Sequence, residues 1–337
     1  WEKARKQNYG IDMRFADGKL GINADFFYEY RDNILTTRNT VPGIIAISLP
    51  AVNIGEVENR GYEIELTWRD KIKNFTYFIR PNMSFSRNKV LFKDEVPKPF
   101  PYLTETGQRV GQPFVYITDG FWLPEELTRL SDFPDHLIIP IAGAWRFKDL
   151  NNDKKIDSYD RQALGYPDYP EYIFSTTLGF SFKGFDFSML WTGVTNVSRL
   201  LSANSQFLNP FGPGNSASLL QYMVDERWTP ETAATATFPS FSLKLWDSNA
   251  LNTRESDWSL KDGSYLRLKN AEIGYTIDPA FLKRLRFGIS SVRIYTNGYN
   301  LLTFDKLKFY DPEAKTSDLN PYYPLMQIYN FGLNVTF

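Results

Sequence analysis

The side chains best spaced for chemistry in this 337-residue chain lie in one short segment, Asp149-Leu-Asn151-Asn-Asp153-Lys-Lys155-Ile-Asp157-Ser-Tyr-Asp160. Oxygen-bearing side chains fall at positions 1, 3, 5, 9 and 12 of a twelve-residue window, and the backbone carbonyl of Lys155 sits at position 7. That is the spacing of a calcium loop, so Asp149, Asn151, Asp153, Lys155, Asp157 and Asp160 form the expected ligand set. Hard oxygen donors with this much carboxylate suit Ca²⁺, whereas Mg²⁺ keeps more of its water. Ile156, at position 8, is expected to pack inward. Two residues depart from the pattern: Lys154 replaces the glycine that usually permits the sharp turn, and Asp160 ends the loop in place of the longer glutamate. A solvated Asn/Asp-rich turn without an ion is the competing reading. An ion here would be structural, replacing repulsion among four carboxylates with coordination and bracing a long connection.

Other chemistry finds little support. Cysteine is absent and histidine occurs once, at His136, which excludes a Cys/His zinc site and thiol catalysis. His136 lies in an acidic stretch, Ser131-Asp-Phe-Pro-Asp-His136, without a G-x-S-x-G elbow nearby, and is expected to be a solvated loop residue. Carboxylate neighbours such as Glu125–Glu126 and Asp225–Glu226 read as solvated, and Phe211-Gly-Pro-Gly-Asn215 lacks the Lys and Ser/Thr of a phosphate cradle. No catalytic residue is assigned, and the substrate-binding residues cannot be read from spacing. Trp122, Trp145, Trp228, Trp246 and Trp258 fit either stacking platforms for sugars or peptides, or ordinary loop packing. With 38 Lys+Arg against 39 Asp+Glu the net charge is −1, which argues against nucleic acid as a partner.

The elements that must position these residues are strands. Apolar and polar residues alternate in runs at Tyr9–Phe15, Leu20–Tyr30, Tyr62–Trp68, Phe75–Phe85, Tyr172–Phe182, Phe185–Trp191 and Tyr329–Phe337. Leu266 and Leu268 are out of phase with Ala271, Ile273 and Tyr275, which predicts a bulge near Lys269–Asn270. A less regular run covers Ser291–Leu302, giving about nine strands. Many runs reach the 9–11 residues a tilted strand needs to cross a bilayer. Connections alternate between short (Ala16–Lys19, Asp70–Asn74, Lys183–Gly184, Asp278–Ser290) and long (Asp32–Asn53, Lys89–Glu171, Asn196–Gly263, Thr303–Leu325). The expected fold is therefore all-β: a transmembrane antiparallel up-and-down β-barrel with tight periplasmic turns and long extracellular loops, its apolar face against outer-membrane lipid. The aromatic surplus, 16% of residues, becomes the interfacial girdle. A soluble β-sandwich alternates too, but its strands are typically shorter. Bacterial barrels have even strand numbers, so an odd count of nine predicts that residues 1–337 are the C-terminal part of a larger barrel, with its earlier strands outside this chain.

Several stretches then become familiar together. Asn53-Ile-Gly-Glu-Val-Glu-Asn-Arg-Gly-Tyr-Glu63, Asp149–Asp160 followed by Gly165-Tyr-Pro167, Arg227-Trp-Thr-Pro-Glu231, Asp262–Asn270, Asn297-Gly-Tyr-Asn-Leu301 and Leu333-Asn-Val-Thr-Phe337 resemble, in order, segments of the SusC/RagA family of TonB-dependent outer-membrane transporters. The resemblance implies a barrel of about 22 strands, a cell outer-membrane location in a Gram-negative envelope, and no enzymatic activity. It also implies import of oligosaccharides or oligopeptides, a SusD-like surface lipoprotein closing over the barrel mouth, and a plug domain and energy from the TonB complex through an N-terminal part not present here. The competing functions are a passive porin or structural outer-membrane protein, and a secreted, calcium-braced glycan-binding β protein.

Overall fold

The computed structural model describes residues 1–40, 50–136, 138–201, 219–241, 249–285, 288–307, 311–314 and 325–337. Its strands are β1 (Lys3–Phe15), β2 (Leu20–Thr36), β3 (Val52–Ile72), β4 (Phe75–Phe92), β5 (Phe114–Tyr116), β6 (Thr118–Phe121), β7 (Trp145–Phe147), β8 (Arg161–Ala163), β9 (Tyr172–Phe182), β10 (Phe185–Thr195), β11 (Ser198–Leu200), β12 (Leu260–Asp262), β13 (Tyr265–Thr276), β14 (Ser291–Asp305) and β15 (Ile328–Thr336). Nine of them form one antiparallel sheet in the order β1-β2-β3-β4-β9-β10-β13-β14-β15, so each long strand pairs with the next long strand in the chain. This is the expected up-and-down meander. The six short strands pair within the loops as β5–β8, β6–β7 and β11–β12. Among the described residues no helix is long and apolar enough to cross a membrane.

Register explains why the alternation matters. Tyr9, Phe26, Tyr62, Phe85 and Tyr172 are successive partners across five strands. Toward the short turns, Phe75, Phe182, Phe185 and Tyr275 make a second such row. All lie on one face, which carries no Asp, Glu, Lys or Arg over Tyr9–Phe15, Leu20–Tyr30, Tyr62–Trp68, Phe75–Phe85, Tyr172–Phe182 and Phe185–Thr195. From Tyr172 to Phe182, ten steps of about 3.3 Å tilted by about 40° cover roughly 25 Å, the height of a barrel's apolar band. Many residues of this face are open on the outside: Phe331 is 86% exposed, Tyr9 66% and Ile294 54%. In water such a surface would be an extended apolar patch; hydrocarbon is its solvent.

The predicted bulge is present. The β13–β14 register slips between Leu268 and Asn270, where β14 carries one residue more than β13, and the β10–β13 register slips at the same place, where Lys269 is the residue without a partner on β10. It returns Leu266 and Leu268 to the face of Ala271, Ile273 and Tyr275. Several strands are longer than the alternation indicates: β2 has 17 residues, β3 21 and β4 18. In β3, pairing begins at Val52, ten residues before the apolar run. Above the hydrocarbon both faces meet water, so the ladder continues while the alternation that reveals it stops.

Candidate functional site

The acidic loop connects β7 to β8. Asn152 and Lys154 both adopt left-handed backbone, with φ of 61° and 64°. Lys154 thus makes the turn usually left to glycine, with the strain a Cβ carries there. The amides of that turn point into the loop: Lys154 N donates to Asp149 Oδ2 at 2.8 Å, Asp153 N to Asn151 Oδ1 at 3.0 Å, and Lys155 N to Asp153 Oδ1 at 2.9 Å. Asp157 accepts from Tyr159 N at 2.7 Å, and Asp160 accepts from Asp157 N and Leu150 N, both at 2.8 Å. Asp160 is fully buried. Burial, aided by the charges of Asp149 and Asp157, outweighs those two amides and holds its carboxyl above the usual range. Asp149, Asn151, Asp153, Asp157 and Asp160 therefore share one loop in which each side chain accepts from a backbone amide. Among the described residues no three acidic or histidine side chains converge closely enough to hold a metal ion.

What fixes this loop is an apolar core of the loop layer itself. Ile156 is fully buried beside Trp122, Ala144, Trp145, Phe147 and Leu251, with Tyr116, Phe121, Phe133 and Trp258 packed around them. The inward role expected of position 8 is realised, and the tryptophans divide accordingly. Trp122 and Trp145 are core residues, Trp228 is buried, and Trp258 packs against Trp145 and Phe238. Trp246 and the Phe211–Asn215 turn lie outside the described residues.

His136 departs from expectation. It is 2% exposed, not solvated. Its Nδ1 lies 2.9 Å from the carbonyl of Pro134, and Phe147 N donates to its Nε2 at 3.1 Å. Trp122 meets the ring edge-on and Phe147 stacks on it. With both nitrogens engaged it is a satisfied core histidine, which a nonperiodic loop sequence does not reveal.

The opposite face of the sheet is polar and interlocked. Arg293 binds Asp186 and Glu272, Asn297 donates to Glu272 at 3.1 Å, and Asn330 donates to Asn297 at 2.9 Å, which ties together β10, β13, β14 and β15. At the long-loop end, a cavity of about 1130 Å³ opens between the ends of β2–β4 and loop residues including Lys98, Arg109, Tyr159 and Glu255. That exceeds the roughly 300–1,000 Å³ of a small-molecule pocket. Sequence reasoning gave no residue of this cavity a binding role, because its walls come from segments far apart in the chain. Buried Arg267 of β13 and Arg199 of the loop strand β11 hold residues 311–314 through Asp311 and the Pro312 carbonyl.

A meander whose outward face is free of charge across the apolar band, with a polar inward face and long loops at one end, is the wall of an outer-membrane β-barrel. Comparison with known proteins specifies which kind. The family model for TonB dependent receptor-like β-barrels matches residues 1–301, and the chain belongs to this family. TonB-dependent receptor P3 of Formosa agariphila is 27% identical over 370 residues, covering 100% of this chain and 34% of that protein. TonB-dependent receptor SusC of Bacteroides thetaiotaomicron is 23% identical over 348 residues, covering 100% of this chain and 32% of that protein. The solved RagAB peptide transporter superposes with a TM-score of 0.71 at 18% identity, over 100% of this chain and 35% of the other. The chain thus spans about a third of the length of these relatives.

Proposed function

We propose that this chain supplies part of the wall, and a layer of extracellular loops, of a TonB-dependent importer of oligosaccharides or oligopeptides. In this reading a SusD-like surface lipoprotein meets the long loops and the TonB complex supplies the energy. The observation that supports it is the loop layer: a folded, aromatic-cored assembly at the outer strand ends, leaving a cavity of about 1130 Å³. A passive pore needs no such structure. Family membership over residues 1–301 supports the same reading. The test uses the whole protein in its own cell. Growth on the oligosaccharide or oligopeptide should stop when either this protein or TonB is deleted, and the protein should co-purify with a surface lipoprotein. Uptake that persists without TonB would make it a porin.

The acidic loop favours a second, narrower reading: Asp149, Asn151, Asp153, Asp157, Asp160 and the Lys155 carbonyl take Ca²⁺. Support comes from the left-handed turn at Lys154 and from the inward anchor at Ile156. A carboxylate bonded to one amide retains lone pairs for a cation. Binding then requires these side chains to swing toward a common point. The ion would brace the loop and take no part in transport chemistry.

A further inference from the structure

We propose that the outward face just beyond the upper aromatic row is a binding site for the phosphate of an outer-leaflet lipid headgroup. Tyr62 pairs with Phe85 in that row; the next pair on the same face is Arg60 opposite Arg87, and the one after is Glu58 opposite Lys89. Two residues at about 3.3 Å each, tilted by about 40°, put the arginines roughly 5 Å beyond the aromatic rings, at the depth of headgroups and not of hydrocarbon.

Two arginines directly opposed on neighbouring strands repel each other, so the pair calls for an anion. Only part of that demand is met from within. Glu171, 4% exposed on its side chain, binds Arg87 through two 2.7 Å bonds and Arg109 through one of 2.5 Å. Arg60 and Lys89 are exposed and make no ion pair among the described residues. A concavity of about 200 Å³ lies among Arg60, Arg87, Lys89, Arg109 and Glu58. Its far wall is fixed: Gly107 N donates to Val90 O at 2.8 Å and Val90 N to Gln108 O at 2.9 Å, so Arg109 is carried on a segment laid alongside β4. The Arg87 guanidinium sits 5.4 Å from the centre of the Phe85 ring, which places it over the rim of the apolar band.

Four cations against two carboxylates leave an excess that one phosphate group balances, and guanidinium forks match phosphate oxygens two at a time. The outward direction selects the source. Arg60, Arg87 and Lys89 continue the face that meets lipid, and Arg109, which also lines the larger cavity, closes the site from the loop side. The site rests on the barrel's placement in the outer membrane and is independent of what is imported, so its failure would leave the import reading untouched.

The test is a binding titration on the whole detergent-purified protein, read by native mass spectrometry. The probes are phosphorylated lipid A, lipid A stripped of its phosphates, and inorganic phosphate. Phosphorylated lipid A should bind about tenfold more tightly than the stripped form, and the double substitution Arg60→Gln, Lys89→Gln should reduce that preference to within about twofold. Equal binding of the two lipids to the unaltered protein overturns the proposal without reference to any variant. So does inorganic phosphate binding as tightly as the lipid, which would mark a site for soluble anions. Preference retained by a folded double variant overturns it as well.

Discussion

The backbone N–H of Phe147 donates to Nε2 of His136 at 3.1 Å, a bond only a neutral imidazole can accept. Burial is the main reason the pKa of His136 lies below its ordinary value; Arg254 and Arg146 push the same way, while the Pro134 carbonyl and Asp135 oppose them. The unfolded chain therefore takes up the proton first. The stabilising contribution is complete above about pH 6.5 and is lost as pH falls through the depressed folded value. Hydrogen exchange at the Phe147 amide should accelerate between pH 7 and pH 5 beyond the change in intrinsic exchange rate. His136→Ala should abolish this extra pH dependence and destabilise the loop layer by about 2–3 kcal/mol. A pH-independent protection factor at Phe147 would show that the bond carries no linkage.

Ile156 joins the acidic loop to the aromatic core, so its truncation tests whether that core acts as a unit. It has no exposed surface and packs with Trp122, Trp145 and Phe147. Ile156→Ala should cost the loop layer about 2–5 kcal/mol. Limited proteolysis should then cut within residues 116–160 of the whole protein, while the barrel keeps its resistance to SDS at room temperature. Equal loss of both would mean that loops and wall unfold together.

The wall was largely legible in the sequence and the loops were not, for physical reasons. Hydrocarbon on one side and water on the other impose a period of two, so Tyr9–Phe15 or Tyr172–Phe182 announce themselves. The phase break at Lys269 even located the bulge. Above the membrane that contrast vanishes, and Val52–Arg60 shows no alternation although it remains paired with β2 and β4 across shifted registers. In the loop layer, Leu251 reaches Trp122 and Trp145 across more than a hundred residues, and no local period records such a contact. Ile156 was found only because ligand spacing fixes its position. The Arg60–Arg87 opposition was invisible because it is a fact of register, which neither strand states alone.

Leu178 and Ser175, three residues apart in β9, face opposite solvents. Leu178 stands between Ile79 and Met189 near mid-band on the lipid side, and Ser175 between Asn82 and Thr192 on the polar side. Leu178→Arg should destabilise the folded barrel by roughly 2–4 kcal/mol, while Ser175→Arg should stay within about 0.5 kcal/mol. Urea unfolding of the whole protein in vesicles measures both. Comparable costs would mean that the two faces do not differ in solvent.

Two glycines separate a backbone constraint from a side-chain constraint. A Cβ on Gly61 would collide first with the carbonyl oxygen of Phe85 and then with the ring of Phe27, whereas the three atoms nearest a Cβ on Gly332 all belong to the Tyr295 side chain. Gly61→Ala and Gly332→Ala should each cost about 1–3 kcal/mol. The two differ in rescue: Tyr295→Ala should recover most of the Gly332→Ala loss, and Phe27→Ala little of the Gly61→Ala loss. Double-mutant cycles by urea unfolding report the coupling. Strong rescue at Gly61 would mean that the backbone there can yield.

The acidic loop poses a competition between backbone amides and a cation for the same oxygens. Asp153 illustrates it: its Oδ1 accepts from Lys155 N at 2.9 Å and its Oδ2 from the Asn151 amide at 2.9 Å. If Ca²⁺ wins, adding it to chelator-treated protein should raise the unfolding temperature of the loop layer, and Asp153→Ala should remove that response. Lys154→Gly makes the sharper test, since the left-handed turn at φ 64° costs a side-chain-bearing residue about 1 kcal/mol that glycine does not incur. The substitution should stabilise the loop with or without the ion and strengthen Ca²⁺ binding if the turn tightens around it. Stabilisation alone, with no metal retained after dialysis and no response to chelator in either protein, would establish that the amides satisfy these carboxylates and that the loop is braced by its own backbone.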